Sequence, residues 1–283
     1  MILRASYGTI QKVNGKSSLE MDTAYFMLGE RCVYNCLYCA QSRSSTSPSH
    51  FLSRVTWKEI SEDLLNKLND CFKRICIQVV SYAGYREDLR SIIPRFRIPV
   101  SVSVRAISVE EVTEYFKLGA DRVDIAVDVP NETLFEKIRG GKYERHLHIL
   151  EKAAEMFPGK ITTHVIVGLG ESDKDIVDFT VWAKERNIVV SLFAFTPIRG
   201  TAFENRERPS LERYRKIQLV TYLLEKNLMK PENIIFDSNG KIIDVEWSDE
   251  FPEEALKTRG CPHCTRPYYN ESPRGPIYNV HWR

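Results

Sequence analysis

The sequence predicts a parallel α/β barrel, and three observations predict it. Short apolar runs of strand character alternate with amphipathic stretches of helical period, as a parallel sheet wrapped in helices requires. Seven such runs and a candidate eighth suit a complete or nearly complete TIM-type barrel better than an open doubly wound sheet. No run is followed by a G-x-G-x-x-G turn opening a helix, so a dinucleotide-binding sheet has no support.

The apolar runs fall at 25–28, 75–80, 100–104, 123–129, 161–167, 189–195 and 234–236, with 242–245 as the possible eighth. Helical stretches are expected at 57–69, 109–118, 143–156, 173–186 and 211–227. Thr56 with Glu59, and Ser108 with Glu111, form capping-box patterns ahead of the first two, and Gly119 closes the second. The barrel is expected over 21–245, between an N-terminal extension, 1–20, and an irregular cysteine-bearing tail, 246–283.

A length of 283 residues suits one such barrel. A net charge of +2, from 40 basic and 38 acidic residues, argues against nucleic-acid binding driven by bulk charge. No segment approaches the roughly 18 uninterrupted apolar residues of a membrane span. The first residues lack the apolar stretch of a secretory signal, so the seven cysteines are expected reduced, in the cytoplasm.

Three of those cysteines, Cys32, Cys36 and Cys39, share one loop as C-x-x-x-C-x-x-C, directly after the first apolar run. The spacing puts three thiolates within reach of one iron–sulfur cube and leaves one iron without a protein ligand. Zinc is the competing metal, but a structural zinc site wants four ligands, usually as two C-x-x-C pairs. The residue before the third cysteine is the aromatic Tyr38. In these features the loop resembles that of the radical S-adenosylmethionine (SAM) superfamily. The resemblance implies a [4Fe–4S] cluster on the three cysteines, SAM chelated to the open iron, and Tyr38 packed near the adenine.

Later strand ends carry further candidates, because barrel chemistry sits at the carboxyl ends of the strands. Asp128 ends the fourth run, where biotin synthase has Asn-x-Asp; here Ala126 replaces the asparagine. That resemblance implies ribose contact by Asp128, although an aspartate capping a helix before Asn131 would read alike. Residues 164–171 resemble the family's G-x-I-x-G-x-x-E element, with Ile166 implied against the adenine and Gly168 permitting close approach. His164 replaces the first glycine and is read foremost as a satisfied core residue, with a proton carrier or a sulfur or substrate contact as alternatives. Thr196 lies in a loop, 195–201, resembling one that holds the adenosyl group in biotin synthase. Ser81 and the Tyr82 backbone correspond to the grip on the SAM amino group, and Arg139, Lys142 and Arg145 compete for its carboxylate.

Four cysteines remain: Cys71, Cys76, Cys261 and Cys264. Three plus four is the arithmetic of two cubane clusters. Cys76 resembles an auxiliary-cluster cysteine of biotin synthase, and the Cys261-Pro-His-Cys264 turn is expected to meet it over the barrel mouth. Cys71 is the less secure fourth ligand; Arg266 and Ser272 are alternatives, and His263 is read as a solvent-facing spacer. A zinc knuckle of Cys71, Cys76, Cys261 and Cys264 is the competing reading.

A biotin-synthase-like barrel with these cysteines most resembles the two-component lipoyl synthases. That resemblance implies a radical SAM sulfurtransferase drawing sulfur from an auxiliary [4Fe–4S] cluster for C6 or C8 of an octanoyl chain. The implied partners are an octanoylated lipoyl-domain or glycine-cleavage H-type protein, a second related radical SAM subunit, and a ferredoxin- or flavodoxin-type electron donor. Biotin synthase or a non-sulfurating relative is the alternative enzyme, and an iron–sulfur carrier or zinc scaffold the alternative outside catalysis.

Overall fold

Six parallel strands curl into a half-barrel: β2 (Thr23–Leu28), β5 (Arg74–Val79), β6 (Val100–Val104), β7 (Ala120–Ile125), β8 (Ile161–Val167) and β9 (Val189–Ala194). The computed structural model describes all residues except 17–19, 54, 248, 267–270, 273 and 282–283. Covering helices are α2 (Glu62–Cys71), α3 (Tyr85–Ile92), α4 (Val109–Lys117), α5 (Glu132–Ile138), α6 (Tyr143–Met156), α7 (Asp173–Glu185) and α8 (Leu211–Glu225). Half of the Ser108–Glu111 pattern forms: the Ser108 hydroxyl accepts from Glu111 N at 3.3 Å, whereas the Glu111 carboxylate accepts from Ile107 N at 2.9 Å.

Three antiparallel strands extend the sheet beyond β2: β1 (Leu3–Ser6), β4 (Val55–Glu59) and β3 (Phe51–Leu52). Of the segment read as an N-terminal extension, Leu3–Ser6 thus lies within the sheet, and Ser6 caps α1 (Tyr7–Val13). The helix expected from residue 57 starts at Glu62 instead, because 55–59 forms a strand. Trp57 decides that choice: its side chain is buried and its indole N–H donates to Leu52 O at 3.1 Å. Thr56 therefore sits in β4 rather than at a helix start.

The last two apolar runs are not barrel strands. β10 (Ile234–Phe236) and β11 (Ile242–Val245) pair antiparallel with each other as a separate hairpin. Residues 237–241 are too short for a parallel crossover, and Gly240, at φ +74°, makes the turn. The hairpin packs Ile234 and Ile242 against Val177 of α7 and Val220 and Leu224 of α8.

Period two sorts the strand residues between two environments. Outward positions such as Ile75, Ile77, Val102, Val123, Val165 and Val190 are buried beneath the helices. Inward positions Cys76, Gln78, Ser101, Ser103, Asp124, Thr162, His164, Ser191 and Phe193 line a cavity of about 280 Å³.

Two segments stitch the open side of the half-barrel. At the carboxyl end, the stretch after the cysteine loop binds the loop after β9, through Thr46 N to Gly200 O at 2.9 Å and Ser45 Oγ to Gly200 O at 3.1 Å. At the amino end, Ser191 Oγ donates to Arg259 O at 2.8 Å and Thr23 Oγ1 to His263 O at 2.7 Å. Gly200 tolerates no side chain: at φ +86°, a Cβ would lie 2.6 Å from Ser47 N. Gly200→Ala is expected to cost about 2–3 kcal/mol in denaturant unfolding. Gly84→Ala, with φ +95° but open space around it, should cost only about 1–2 kcal/mol.

Candidate functional site

The cysteine loop is held by backbone bonds and one buried amide. Val33 N donates to Ser81 O at 2.8 Å, Leu37 N to Ile138 O at 2.9 Å, and Cys32 N to Gln41 O at 2.7 Å. The Gln41 side chain, which sequence reading missed, accepts from Arg31 N and donates to the carbonyls of Ser49 and Phe51. Cys32, Cys36 and Cys39 all line the cavity, half-buried. Backbone N–H groups of Tyr34 and Gln41 each point at a sulfur, Cys32 and Cys39 respectively, at 3.4 Å.

Burial pushes the Cys36 thiol up, and burial with the neighbouring Cys36 pushes Cys39 up further. A metal must therefore displace protons from these thiols. Arg105 on the β6 side is a second residue that sequence reading missed. Its guanidinium lies 3.9 Å from Cys36 Sγ, stacks 3.9 Å from the Tyr34 ring, and is fixed by the carbonyls of Arg139 and Gly140. Three thiols, N–H donors to sulfur and a facing cation are the donor set an iron–sulfur cluster wants.

Asp128 stands across the cavity in the left-handed region, at φ +60°, held by Asp128 N to His164 O and Ile166 N to Asp128 O, both 2.8 Å. It caps no helix; Asn131 caps α5, accepting from Leu134 N at 3.1 Å. Its carboxylate accepts from Tyr38 Oη at 2.5 Å and forms ion pairs with Arg139 Nη1 and His164 Nε2, both at 2.9 Å. Burial alone would raise this carboxyl, but Arg139 and His164 outweigh it and hold it well below the usual range.

The other expected contacts divide. Ser81, Ile166 and Thr196 line the cavity, as does Arg139. Lys142 does not. It is 77 % exposed and paired with Glu136, because Gly140 and Gly141, both at positive φ, turn the chain outward before α6. Arg145 reaches Ile107 O, on an exposed surface. Tyr82, expected to act through its backbone, is not among the residues that line the cavity, and its hydroxyl bonds Asp88. Gly168, at φ +109°, is required by packing, since a Cβ there would lie 3.0 Å from Pro209 and 3.2 Å from Phe195.

Cys76, Cys261 and Cys264 line the same cavity at its other end. The tail pair was expected over the barrel mouth; it meets Cys76 at the amino ends of the strands instead. The register explains this, for Cys76 is the third residue of β5, level with Tyr25 and Ser101 in the lower half of the sheet. Burial, then the neighbouring Cys261 and Cys264, push the Cys76 thiol up. Cys71 is not with them: it ends α2, in the outer layer. Arg266 lines the cavity over the Phe193 ring at 3.7 Å, whereas Ser272 does not line it. His263 is 41 % exposed. Among the described residues, no three His, Cys, Asp or Glu side chains converge as a single metal ion would need.

Tyr25 pins this tail. Its buried hydroxyl accepts from Thr265 N at 3.1 Å and Arg266 N at 2.8 Å and lies 3.6 Å from Cys264 Sγ. Tyr25→Phe leaves two N–H groups unpaired, at about 1–3 kcal/mol each. Trypsin should then cut after Lys257 and Arg259 roughly tenfold faster or more, while the barrel stays resistant.

The family model for the radical SAM superfamily matches residues 26–183, more than half of the chain and all of the cysteine loop. The chain belongs to the radical SAM superfamily. Membership implies a [4Fe–4S] cluster on the Cys32–Cys36–Cys39 loop and SAM in the cavity beside it. Among curated relatives of this radical SAM protein, an uncharacterized protein of Methanocaldococcus jannaschii is 26% identical over 201 residues, 68% of this chain and 53% of that one. Biotin synthase of Persephonella marina is 27% identical over 196 residues, 66% of this chain and 57% of its own. GTP 3',8-cyclase of Listeria welshimeri is 26% identical over 193 residues, covering 64% and 56%. The chain thus spans about half the length of the curated relatives it matches.

Several solved structures share the fold. A maturase of the [FeFe]-hydrogenase superposes with a TM-score of 0.59 at 15% identity, covering 73% of this chain and 52% of that one. Methylornithine synthase gives 0.53 at 11%, covering 77% and 66%. No helix among the described residues is long and apolar enough to cross a membrane.

Proposed function

We propose that this radical SAM protein is a sulfurtransferase of the lipoyl synthase kind, converting an unactivated C–H into C–S at C6 or C8 of a protein-bound octanoyl chain. One observation carries the reading: a second set of thiols, Cys76, Cys261 and Cys264, lies in the same cavity as the SAM loop, at its far end. When bound, the loop cluster and SAM would supply a radical able to take hydrogen from an aliphatic carbon. The second thiol set would hold an auxiliary [4Fe–4S] cluster, consumed as the sulfur-donating substrate.

The chain's own residues then have separate tasks. Ser81, Asp128, Ile166 and Thr196 would orient the adenosylmethionine, with Arg105 or Arg139 facing its carboxylate. The barrel wall would hold the target carbon between the two ends and keep water out. The apolar part of the wall, including Val80, Ala126, Ile166 and Phe193, gives an alkyl chain its contact. The partners this reading requires are an octanoylated lipoyl-domain or H-type protein, a second radical SAM subunit for the other carbon, and a ferredoxin- or flavodoxin-type reductant.

The test is anaerobic incubation of the reconstituted protein with SAM, reductant and an octanoyl-lysine peptide. Mass spectrometry should show one sulfur added to the peptide. SAM cleavage with no added sulfur, alone and with a paired subunit, would overturn the assignment and leave a radical SAM enzyme of another specificity.

A further inference from the structure

His164 stands midway along the cavity wall, where its ring bridges the two ends of the site. Nδ1 lies 3.0 Å from Asp124 Oδ2, and Nε2 lies 2.9 Å from Asp128 Oδ1. A neutral imidazole has one N–H and a charged one has two, so a ring facing a carboxylate at each nitrogen can donate to both only as the imidazolium. Burial would lower its pKa, but Asp124 and Asp128 together outweigh that and push it up to about 9.

The two carboxylates serve opposite ends. Asp128 is bonded to Tyr38 and Arg139 on the side of the cysteine loop. Asp124 takes the hydroxyls of Ser103 at 2.7 Å and Thr162 at 3.2 Å, and Thr162 Oγ1 in turn lies 3.9 Å from Cys261 Sγ. Around the ring, β9 offers Phe193 at 5.0 Å between centroids, and Ser191 is the register partner of His164. Among these contacting groups, Asp128 pairs with both Arg139 and His164, whereas the ion pair of buried Asp124 among the described residues is with His164. Without a charged imidazole Asp124 loses that pairing, a situation buried carboxylates tolerate poorly.

We infer that His164 is a positioning residue, a charged strut that joins Asp124 to Asp128 and holds the Asp128 carboxylate in place for the adenosyl group of SAM. It acts through Asp128 and across the cavity, which makes the adenosyl end and the thiol end one hydrogen-bonded unit. The inference rests on the reading of Asp128 as an adenosyl contact, and not on sulfur transfer.

The experiment measures equilibrium SAM binding to protein carrying the loop cluster, with four variants beside the wild type. His164→Gln removes the charge and cannot reach both carboxylates, and should weaken binding at least tenfold. Adding Asp124→Asn to His164→Gln removes the orphaned negative charge and should restore binding to within about threefold, a rescue that a packing role would not give. Asp128→Asn should weaken binding as His164→Gln does, and Asp124→Asn alone only mildly. If Asp128→Asn binds SAM like the wild type, the reading of Asp128 fails and takes the inference with it. If Asp128→Asn weakens binding but His164→Gln does not, or if the double variant is no better than His164→Gln, the strut is overturned while Asp128 keeps its role.

A second measurement needs neither a variant nor a cofactor. Proton–nitrogen correlation spectra of the metal-free wild type at pH 7.5 should show both ring nitrogens of His164 protonated. Buried His146, whose Nε2 meets Ala126 O and whose pKa burial and Arg139 push down to about 3, should show one. A single protonated nitrogen on His164 overturns the inference.

Discussion

Alanine in place of Cys32, Cys36 or Cys39 is expected to abolish reductive cleavage of SAM, by a factor on the order of 10³ or more, with the barrel still folded. The three thiols act as a unit, so losing one should cost about as much as losing all three. The fold should survive because backbone bonds to Ser81, Ile138 and Gln41, and not the sulfurs, hold the loop. Truncating a half-buried thiol removes little packing, about 1 kcal/mol. The measurements are anaerobic assay of 5'-deoxyadenosine and methionine, and thermal unfolding of the metal-free proteins. A triad variant that cleaves SAM at the wild-type rate would sink the assignment of the loop.

Much of the fold was legible because it is written at short range. Period two in 161–167 places Thr162, His164 and Ile166 on one face, and the structure has β8 at Ile161–Val167 with those residues on the cavity. Helical period over 143–156 corresponds to α6, Tyr143–Met156, residue for residue. The cysteine loop was legible for the same reason, its chemistry being contained in eight consecutive positions. What escaped was set by distance. β1 is four residues long and becomes a strand only through its neighbours β2 and β4. The misplaced helix at 57 followed a local capping pattern that loses to the burial of Trp57. The hairpin β10–β11 could have been read, since its five-residue connection already rules out a parallel crossover.

The site divides in the same way. Asp128 was found as a strand-end carboxylate, but Arg105 and Gln41 were not, because neither belongs to a recognisable spacing. His164 was read foremost as a satisfied core residue; it lines the cavity instead, and its partners are two carboxylates, Asp124 in β7 and Asp128 beyond its end, which no local pattern announces. The tail required most: Arg266 and Tyr25 are 241 residues apart in sequence and 2.8 Å apart in space.

Serine in place of Cys76, Cys261 or Cys264 is expected to separate the two halves of the chemistry. SAM cleavage should stay within about threefold of wild type, because these thiols lie at the opposite end of the cavity from the loop. On the proposed reading, sulfur transfer to an octanoyl peptide should fall by a factor on the order of 10² or more, and iron from about eight to about four per chain, the loss expected if these thiols hold a second cubane. A hydroxyl is a harder and far less acidic ligand than a thiol, so serine is a poor replacement for iron bound through sulfur. Cys71→Ser is the internal control, since α2 carries that thiol in the outer layer; it should change neither iron content nor sulfur transfer. Iron unchanged in all three cavity variants would remove the auxiliary cluster, and zinc found in its place would turn the tail into a structural clasp. Loss of iron with sulfur transfer retained would instead move the sulfur source outside the chain. Only the loss of both together makes Cys76, Cys261 and Cys264 the donor end of a cavity whose other end makes the radical.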